Sequence, residues 1–305
     1  VPAYNESMQI AKVIQTMPEF VDKIVVVDDA SKDNTVAIVK RHQKENDKIE
    51  IIQHESNQGV GGAISSGYQW ARDNEFDVTA VMAGDGQMDP FELKTIIMPI
   101  VDGSADYTKG NRLFYGDAWD MIPHHRYLGN SFFSLMTKIA SGYWHIADSQ
   151  SGYTAIALIA LKRINLKKIY RDYGMPNDLL IKLNHHDFRV RDVHIKPVYG
   201  VGERSDIKMR RVIPRISWIL FKGFWQRLFF KYVIRDFHPL VFFYLLSFLL
   251  LTCSVPLTIR LFYIWATRGD IPDINALALI FTTISGLQTL FFGMWFDMEY
   301  NKNLK

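Results

Sequence analysis

Cysteine occurs once in these 305 residues, at Cys253 inside an apolar run, which excludes a disulfide framework within the chain and a cysteine zinc site. A reducing compartment is therefore permitted. No initiator Met or signal-peptide pattern precedes Val1-Pro2. A strand is expected to feed Pro2-Ala3-Tyr4-Asn5-Glu6, so a few residues, most of a first strand among them, read as missing together with any targeting signal at that end. Internal repeats and low-complexity segments are absent. A dinucleotide fingerprint is excluded, because after Gly59-Val60-Gly61 the third glycine would fall at Ile64. Acid is scarce from 204 to 235, where nine Lys or Arg meet one Asp206, and charge is absent altogether from 239–259 and 274–296.

What is present is enough apolar sequence, 48% of residues, for one large core or two smaller ones, at a net charge of only +3. Strand patterns at 23–29, 50–54 and 78–82 alternate with helix patterns at 35–44, 59–71 and 90–101, the last with Pro90 in the first helical position. That alternation predicts an α/β fold with right-handed crossovers and a mainly parallel sheet. Past residue 107 the pattern turns irregular. A helix is expected over 126–142, a strand over 153–160, a short helix over 177–183 and another strand over 190–197.

The stretch 80–90, A-V-M-A-G-D-G-Q-M-D-P, organises the first half. Its apolar run stops abruptly at Gly84-Asp85-Gly86-Gln87, which sets a carboxylate at a strand's end. Open α/β sheets bind ligands beyond the carboxyl ends of their strands, and a divalent cation held there by oxygens can neutralise a diphosphate. The same residues also fit an ordinary acidic turn.

Pro2-Ala3-Tyr4-Asn5-Glu6, Val27-Asp28-Asp29-Ala30-Ser31-Lys32-Asp33 and Gly84-Asp85-Gly86-Gln87, in that order, resemble family 2 glycosyltransferases of the GT-A (Rossmann-like) fold. The resemblance covers most of 1–206. It implies that Pro2, Ala3, Tyr4, Glu6, Asp29, Asp33, Gly61 and Gly84 contact a nucleotide-sugar donor, and that Asp85 and Gln87 hold or adjoin Mg2+ or Mn2+. Asp29 and Asp33 also fit an Asx-turn and helix cap ahead of Thr35. Two departures stand out: the family's Asp-x-Asp begins here with Ala83, and its Asn-x-Gly-Lys-Gly turn has Val60 in place of Lys.

Lys109-Gly110-Asn111-Arg112, Asp148-Ser149-Gln150-Ser151-Gly152-Tyr153 and Asn177-Asp178-Leu179-Leu180 are similar to the branch that builds polyprenyl-phosphate sugars, the dolichyl-phosphate mannose synthase group. The acceptor thus implied, dolichyl or undecaprenyl phosphate, is already an anion at neutral pH and attacks the anomeric carbon without a strong base. The protein then supplies orientation and stabilises the departing diphosphate. Asp85, Arg112 and Asp148 form the expected catalytic set, with Asp148 orienting the acceptor or an arginine, or else capping the turn before Tyr153. Arg112, Arg126 and Arg204, whose forks suit phosphate, are the acceptor-phosphate candidates, together with Ser151. His124-His125 and His185-His186 point in divergent directions and read as surface or interfacial rather than metal pairs. UDP-glucose and GDP-mannose both remain open as donors.

From 212 to 237 aromatic and aliphatic residues interleave with Arg215, Lys222, Arg227, Lys231 and Arg235, a pattern suited to an anionic headgroup layer, and no nucleic acid is expected as a partner. The uncharged runs of 21 and 23 residues that follow are each long enough to span a bilayer. Basic residues gather before the first span and at Lys302 and Lys305, which places both termini and the α/β domain on the cytoplasmic face. Three parts are expected: a GT-A domain over 1–206, basic amphipathic interfacial helices over 207–237 and a two-helix transmembrane anchor over 238–305, with a homo-oligomer open. Two rivals remain. A processive polysaccharide synthase would carry Gln-x-x-Arg-Trp and more spans, and no such pentapeptide occurs. A silent nucleotide-sugar-binding membrane scaffold would suit Ala83.

Overall fold

A computed structural model describes residues 1–114, 124–196 and 209–305. Two compact units are distinguished, the first comprising 1–224 with 303–305, the second 225–302.

In the first unit β1 (Pro2–Ala3), β2 (Ile24–Asp28) and β3 (Ile49–Gln53) form a parallel sheet in that order, with Val26 opposite Ile51. Four of the five β2 residues are buried, as expected of a β-branched strand covered on both faces. Ile10 and Ile14 of α1 (Ile10–Gln15) and Val39 of α2 (Thr35–Glu45) pack with Ile24, Val26 and Ile49. Ile64, Tyr68 and Ala71 of α3 (Val60–Asp73) belong to a separate core with Leu161, Leu179 and Leu183.

The second sheet runs β4 (Val78–Val81), β6 (Thr154–Ala157), β5 (Tyr107–Asn111), β7 (Val190–His194). It is mixed: β6 is antiparallel to both neighbours, whereas β5 and β7 are parallel, with Lys109 opposite Asp192. The Gly84 N–H donates to Pro2 O at 3.1 Å, tying the loop after β4 to β1. A Cβ on Gly84 would stand 3.2 Å from that oxygen, so any larger residue would crowd this close approach.

Several sequence expectations need adjusting. The segment after Asp89 begins as a 3-10 turn, Pro90–Glu92, before α4 (Leu93–Val101), with the Asp89 carboxylate accepting from Phe91 N–H. The strand expected over 153–160 stops at Ala157 and becomes α6 (Leu158–Arg163), because its partner β4 begins at Val78 and the Leu158 N–H turns to Asp77 O. The irregular reading past 107 missed β5, all of whose residues are buried although it contains Lys109 and Gly110. α5 (His124–Ser141) and α7 (Met175–His185) run slightly longer than their patterns.

Helix α8 (Met209–Phe229) leaves the first unit, where Ile216 and Leu220 pack with Phe133 and Ile181, and runs into the second. There it continues as a π-helical turn, Phe230–Arg235, ahead of α9 (Leu240–Arg268) and α10 (Asp273–Tyr300). These last two are 29 and 28 residues long with mean hydropathy 2.3 and 1.6, long and apolar enough to cross a membrane. Gly269, at φ 69°, caps α9 in the left-handed conformation. The two helices pack antiparallel through small residues. A Cβ on Gly286 would meet Leu251 at 2.9 Å, one on Gly293 would meet the Tyr244 ring at 3.3 Å, and Ser247 Oγ donates to Gly286 O.

Candidate active site

At the carboxyl edge of β1 and β2 the two leading motifs interlock. Asn5, at φ 57°, donates its N–H to Ser31 Oγ at 2.9 Å and accepts from Lys32 N–H at 2.8 Å. Glu6 N–H donates to Thr35 Oγ1, and Ser7 N–H to Asp33 Oδ2. Asp33 Oδ1 accepts from the Thr35 amide and hydroxyl, the geometry of an Asx-turn ahead of α2. Burial pushes the Asp33 carboxyl up, but these bonds from Thr35 and Ser7 outweigh it and hold the group at about 2.

Glu6 behaves in the opposite way. Burial first, then the negative charges of Asp85 and Asp33, raise its carboxyl to about 7. Asp85 Oδ1 accepts from Gln87 N–H at 3.0 Å, so those two residues share one turn, which Gly86 completes at φ 74°. Among the described residues no three His, Cys, Asp or Glu side chains gather closely enough to hold a metal ion by themselves. The side chains gathered here, Glu6, Asp33 and Asp85, are nevertheless carboxylates, the oxygen chemistry that Mg2+ and Mn2+ prefer. Their mutual repulsion, visible at Glu6, is what a cation relieves. The residues therefore fit a divalent ion.

Asp29 is held on several sides. Its carboxylate accepts from Gln58 N–H and Gly59 N–H, each at 2.8 Å, and from His54 at 2.7 Å. Gly61 stands against a different neighbour: a Cβ there would lie 2.1 Å from Tyr170 O, and Gly62 N–H donates to Arg171 O. The glycines of this turn thus let α3 begin against the 170–172 backbone. Tyr4 is exposed, whereas Ala3 is buried and its carbonyl accepts from Asp29 N–H.

A second cluster lies at the carboxyl end of β5. Arg112 grips the fully buried Asp148 with two prongs, Nε to Oδ2 at 2.8 Å and Nη2 to Oδ1 at 3.2 Å. Asp148 also accepts from the backbone N–H groups of Arg112 and Gln150. Burial works to raise its carboxyl, but Arg112 and then Lys109 keep it below the usual carboxylate range. Loaded in this way it orients Arg112 and does not take up a proton. Ser151 is buried, its carbonyl accepting from the buried Lys109 Nζ. Ser149 pairs with Ser134 of α5, and Gln150 and Thr137 donate to Asn177 Oδ1 at the start of α7, joining the expected motifs. The Arg126 side chain and the whole of Arg204 lie outside the described residues.

Sequence reasoning passed over Lys109, Asp192 and His54 as site residues. Lys109 and Asn111 share a strand face by two-residue spacing, and Asp192 receives Asn111 Nδ2 at 3.0 Å. The available signal was a Lys in an otherwise buried strand, visible only once β5 is recognised.

The family model for glycosyl transferase family 2 matches residues 1–164. The chain is 32% identical over 212 residues to the UDP-N-acetylglucosamine–dolichyl-phosphate N-acetylglucosaminyltransferase of Methanococcus voltae, covering 65% of this chain and 84% of the relative. It is 26% identical over 200 residues to the undecaprenyl-phosphate mannosyltransferase of Micrococcus luteus, covering 64% and 80%. Among solved structures it is similar to glucosyl-3-phosphoglycerate synthase from Mycobacterium tuberculosis with Mn2+, UDP and glucosyl-3-phosphoglycerate. There the TM-score is 0.55 at 16% identity, covering 74% of this chain and 77% of the other, a likeness of fold.

Proposed function

The chain belongs to glycosyl transferase family 2, and from that premise we propose that it moves a hexose from a nucleotide-diphosphate donor to a polyprenyl phosphate, with inversion at the anomeric carbon. The observation that carries this reading is the Arg112–Asp148 pair. A permanently charged fork is held in a fixed direction by a carboxylate that is too well bonded to act as a base. Such a site suits an acceptor that arrives already ionised, and a phosphate monoester does so at neutral pH. Two helices long and apolar enough to span a bilayer favour a lipid-borne acceptor, dolichyl or undecaprenyl phosphate. The names of the relatives from Methanococcus voltae and Micrococcus luteus agree with that choice.

In this mechanism Tyr4, Glu6 and Asp29 hold the donor, and Arg112 orients the acceptor phosphate, with Arg126 and Arg204 as further phosphate candidates. Ser151 shapes the loop beneath through its carbonyl. Asp85, beside Gln87, would hold Mg2+ or Mn2+, which when bound neutralises charge on the departing diphosphate. In-line attack by the phosphate oxygen inverts the anomeric centre and needs no proton removed by the protein. We place the catalytic domain on the cytoplasmic face from the basic residues ahead of α9, and retain the division at 206 and 237 as part of the proposal.

The test is incubation of the full chain in detergent with radiolabelled nucleotide sugars, polyprenyl phosphate and MnCl2. A labelled lipid-soluble product is expected, absent from Asp85→Ala. Failure to form it with any donor, or its undiminished formation by Asp85→Ala, would overturn the transfer or the role of Asp85 respectively.

A further inference from the structure

Two loops meet in the Arg112–Asp148 pair, and one carboxylate of β7 holds the residue just ahead of each. Asp192 Oδ2 accepts from Asn111 Nδ2 at 3.0 Å and from Ala147 N–H at 2.7 Å. Asn111 directly precedes Arg112, and Ala147 directly precedes Asp148. These partners lie 81 and 45 residues away in the chain, so the sheet makes the meeting and local sequence does not.

Each partner passes the constraint on. With Nδ2 held by Asp192, Asn111 Oδ1 accepts from Leu113 N–H at 3.0 Å and closes a turn around Arg112. Two residues along the same face of β7, the His194 ring stacks on Phe114 at the far side of that turn, with centroids 3.5 Å apart. In the other loop, the bond to Ala147 N–H fixes the backbone from which Asp148 reaches Nε and Nη2 of Arg112.

The second oxygen of Asp192 does nothing comparable. Oδ1 is buried without a hydrogen-bond partner among the described residues, and Lys109, directly opposite across the strands, sends its Nζ to Ser151 O instead. A buried oxygen left unpaired works against stability, and an apolar side chain in its place would avoid that cost. Stability alone therefore does not account for an acid at this position.

We propose that Asp192 is a positioning residue for transfer: by holding Asn111 and Ala147 together it aims the Arg112 fork at the acceptor phosphate. The inference rests on the acceptor role proposed for Arg112 and adds a residue that acts through it. A fork misplaced by about 1 Å can lose on the order of a hundredfold in rate, so two hydrogen bonds at its base are enough to matter.

Rates of labelled-lipid formation by the full chain in detergent test this directly. Asp192→Ala frees both loops, and its kcat is expected to fall about tenfold or more with the donor KM within about twofold. Asp192→Asn, whose carbonyl oxygen can accept both N–H groups, is expected to recover to within about threefold of the parent. In Arg112→Lys, which has no fork to aim, adding Asp192→Ala is expected to cost less than about threefold, because coupled residues are not additive. An equal loss in both backgrounds is what a merely structural role gives, and it overturns the proposal. Asp192→Ala as active as the parent also overturns it and leaves the transfer reaction standing. Calorimetric titration with farnesyl phosphate reads the same pose without a donor. There Asp192→Ala is expected to weaken binding about fivefold or more, and Asp192→Asn to stay within about twofold. If the parent forms no lipid product, the transfer reading falls and this titration decides for Asp192. Affinity unmoved in Asp192→Ala, or no binding by the parent, overturns the positioning role.

Discussion

Two arginine–aspartate pairs, one in each unit, share a chemistry and differ in closure. Arg112 meets Asp148 through two prongs, with the aspartate fully buried and the arginine side chain 24% exposed. Arg227 meets Asp297 through two prongs of 2.6 and 2.9 Å, with both side chains at 0%. The second pair is wrapped further: Tyr232 OH donates to Asp297, Asn301 Nδ2 donates to Tyr232 OH and Asp297, and Lys231 Nζ donates to Asn301 Oδ1. Burial first, and then the neighbouring Arg227, lower Lys231 to about 7. A pair sealed on every side fastens the end of α8 to α10 and is suited to structure. A pair whose arginine side chain stays 24% exposed presents a guanidinium in a fixed pose and is suited to a ligand.

The sharpest way to break that contrast is Arg227→Met, which leaves the Asp297 carboxylate buried without its main partner. A loss of about 3–5 kcal/mol is expected, read as a fall in thermal midpoint of the full chain in detergent. Adding Asp297→Leu should recover most of it, since replacing both charges by apolar groups removes the unpaired ion. A double variant no more stable than the single one would show that the clasp contributes more than charge neutrality. Next in size, Arg112→Lys keeps a positive charge but loses the fork. Its kcat should drop on the order of a hundredfold, about 2.7 kcal/mol in the barrier, with the midpoint hardly moved. Were its midpoint to fall as far as that of Arg227→Met, with rate following folded protein, the distinction between open and closed pairs would collapse.

The smallest expected effect sharpens the open side. Asp192, opposite Lys109 across β5 and β7, has its carboxyl raised by burial from the ordinary 3.8 to about 6, while the Ala147 N–H and the Lys109 charge pull it back. A raised carboxyl contributes its stability fully below about 3.8 and loses it as pH rises through about 6. Asp192→Asn removes that loss. The midpoint of the variant relative to the parent should therefore climb between pH 4 and pH 7. A flat or falling difference would mean that Asp192 is ionised throughout and is matched by Lys109.

Much of the region proposed to hold the donor was legible before folding. The β-branched run ending in Asp28-Asp29 and the apolar run before Gly84-Asp85 are local signals, and the structure puts the first at the end of β2 and the second in the turn just past β4. The region proposed to hold the acceptor was legible as motifs but not as contacts. Asp148, Ser149 and Gln150 come to Arg112, Ser134 and Asn177 from other parts of the chain, and no local period reports such a meeting. β5 escaped notice for the same reason. A Lys in a strand reads as exposed until Ser151, Asp148 and Asp192 surround it.

By itself the sequence determined the alternation that makes an α/β domain, the order of its acidic turns and the two uncharged runs, because strand ends, helix caps and bilayer-length apolar segments are properties of neighbouring residues. Only the tertiary structure decided what each charged group does. Whether a carboxylate ends as an Asx-turn like Asp33, a counter-ion like Asp148 or an acceptor of several backbone and side-chain donors like Asp29 depends on how many donors the fold carries to it from distant positions. Burial then makes each of those bonds strong enough to settle the outcome.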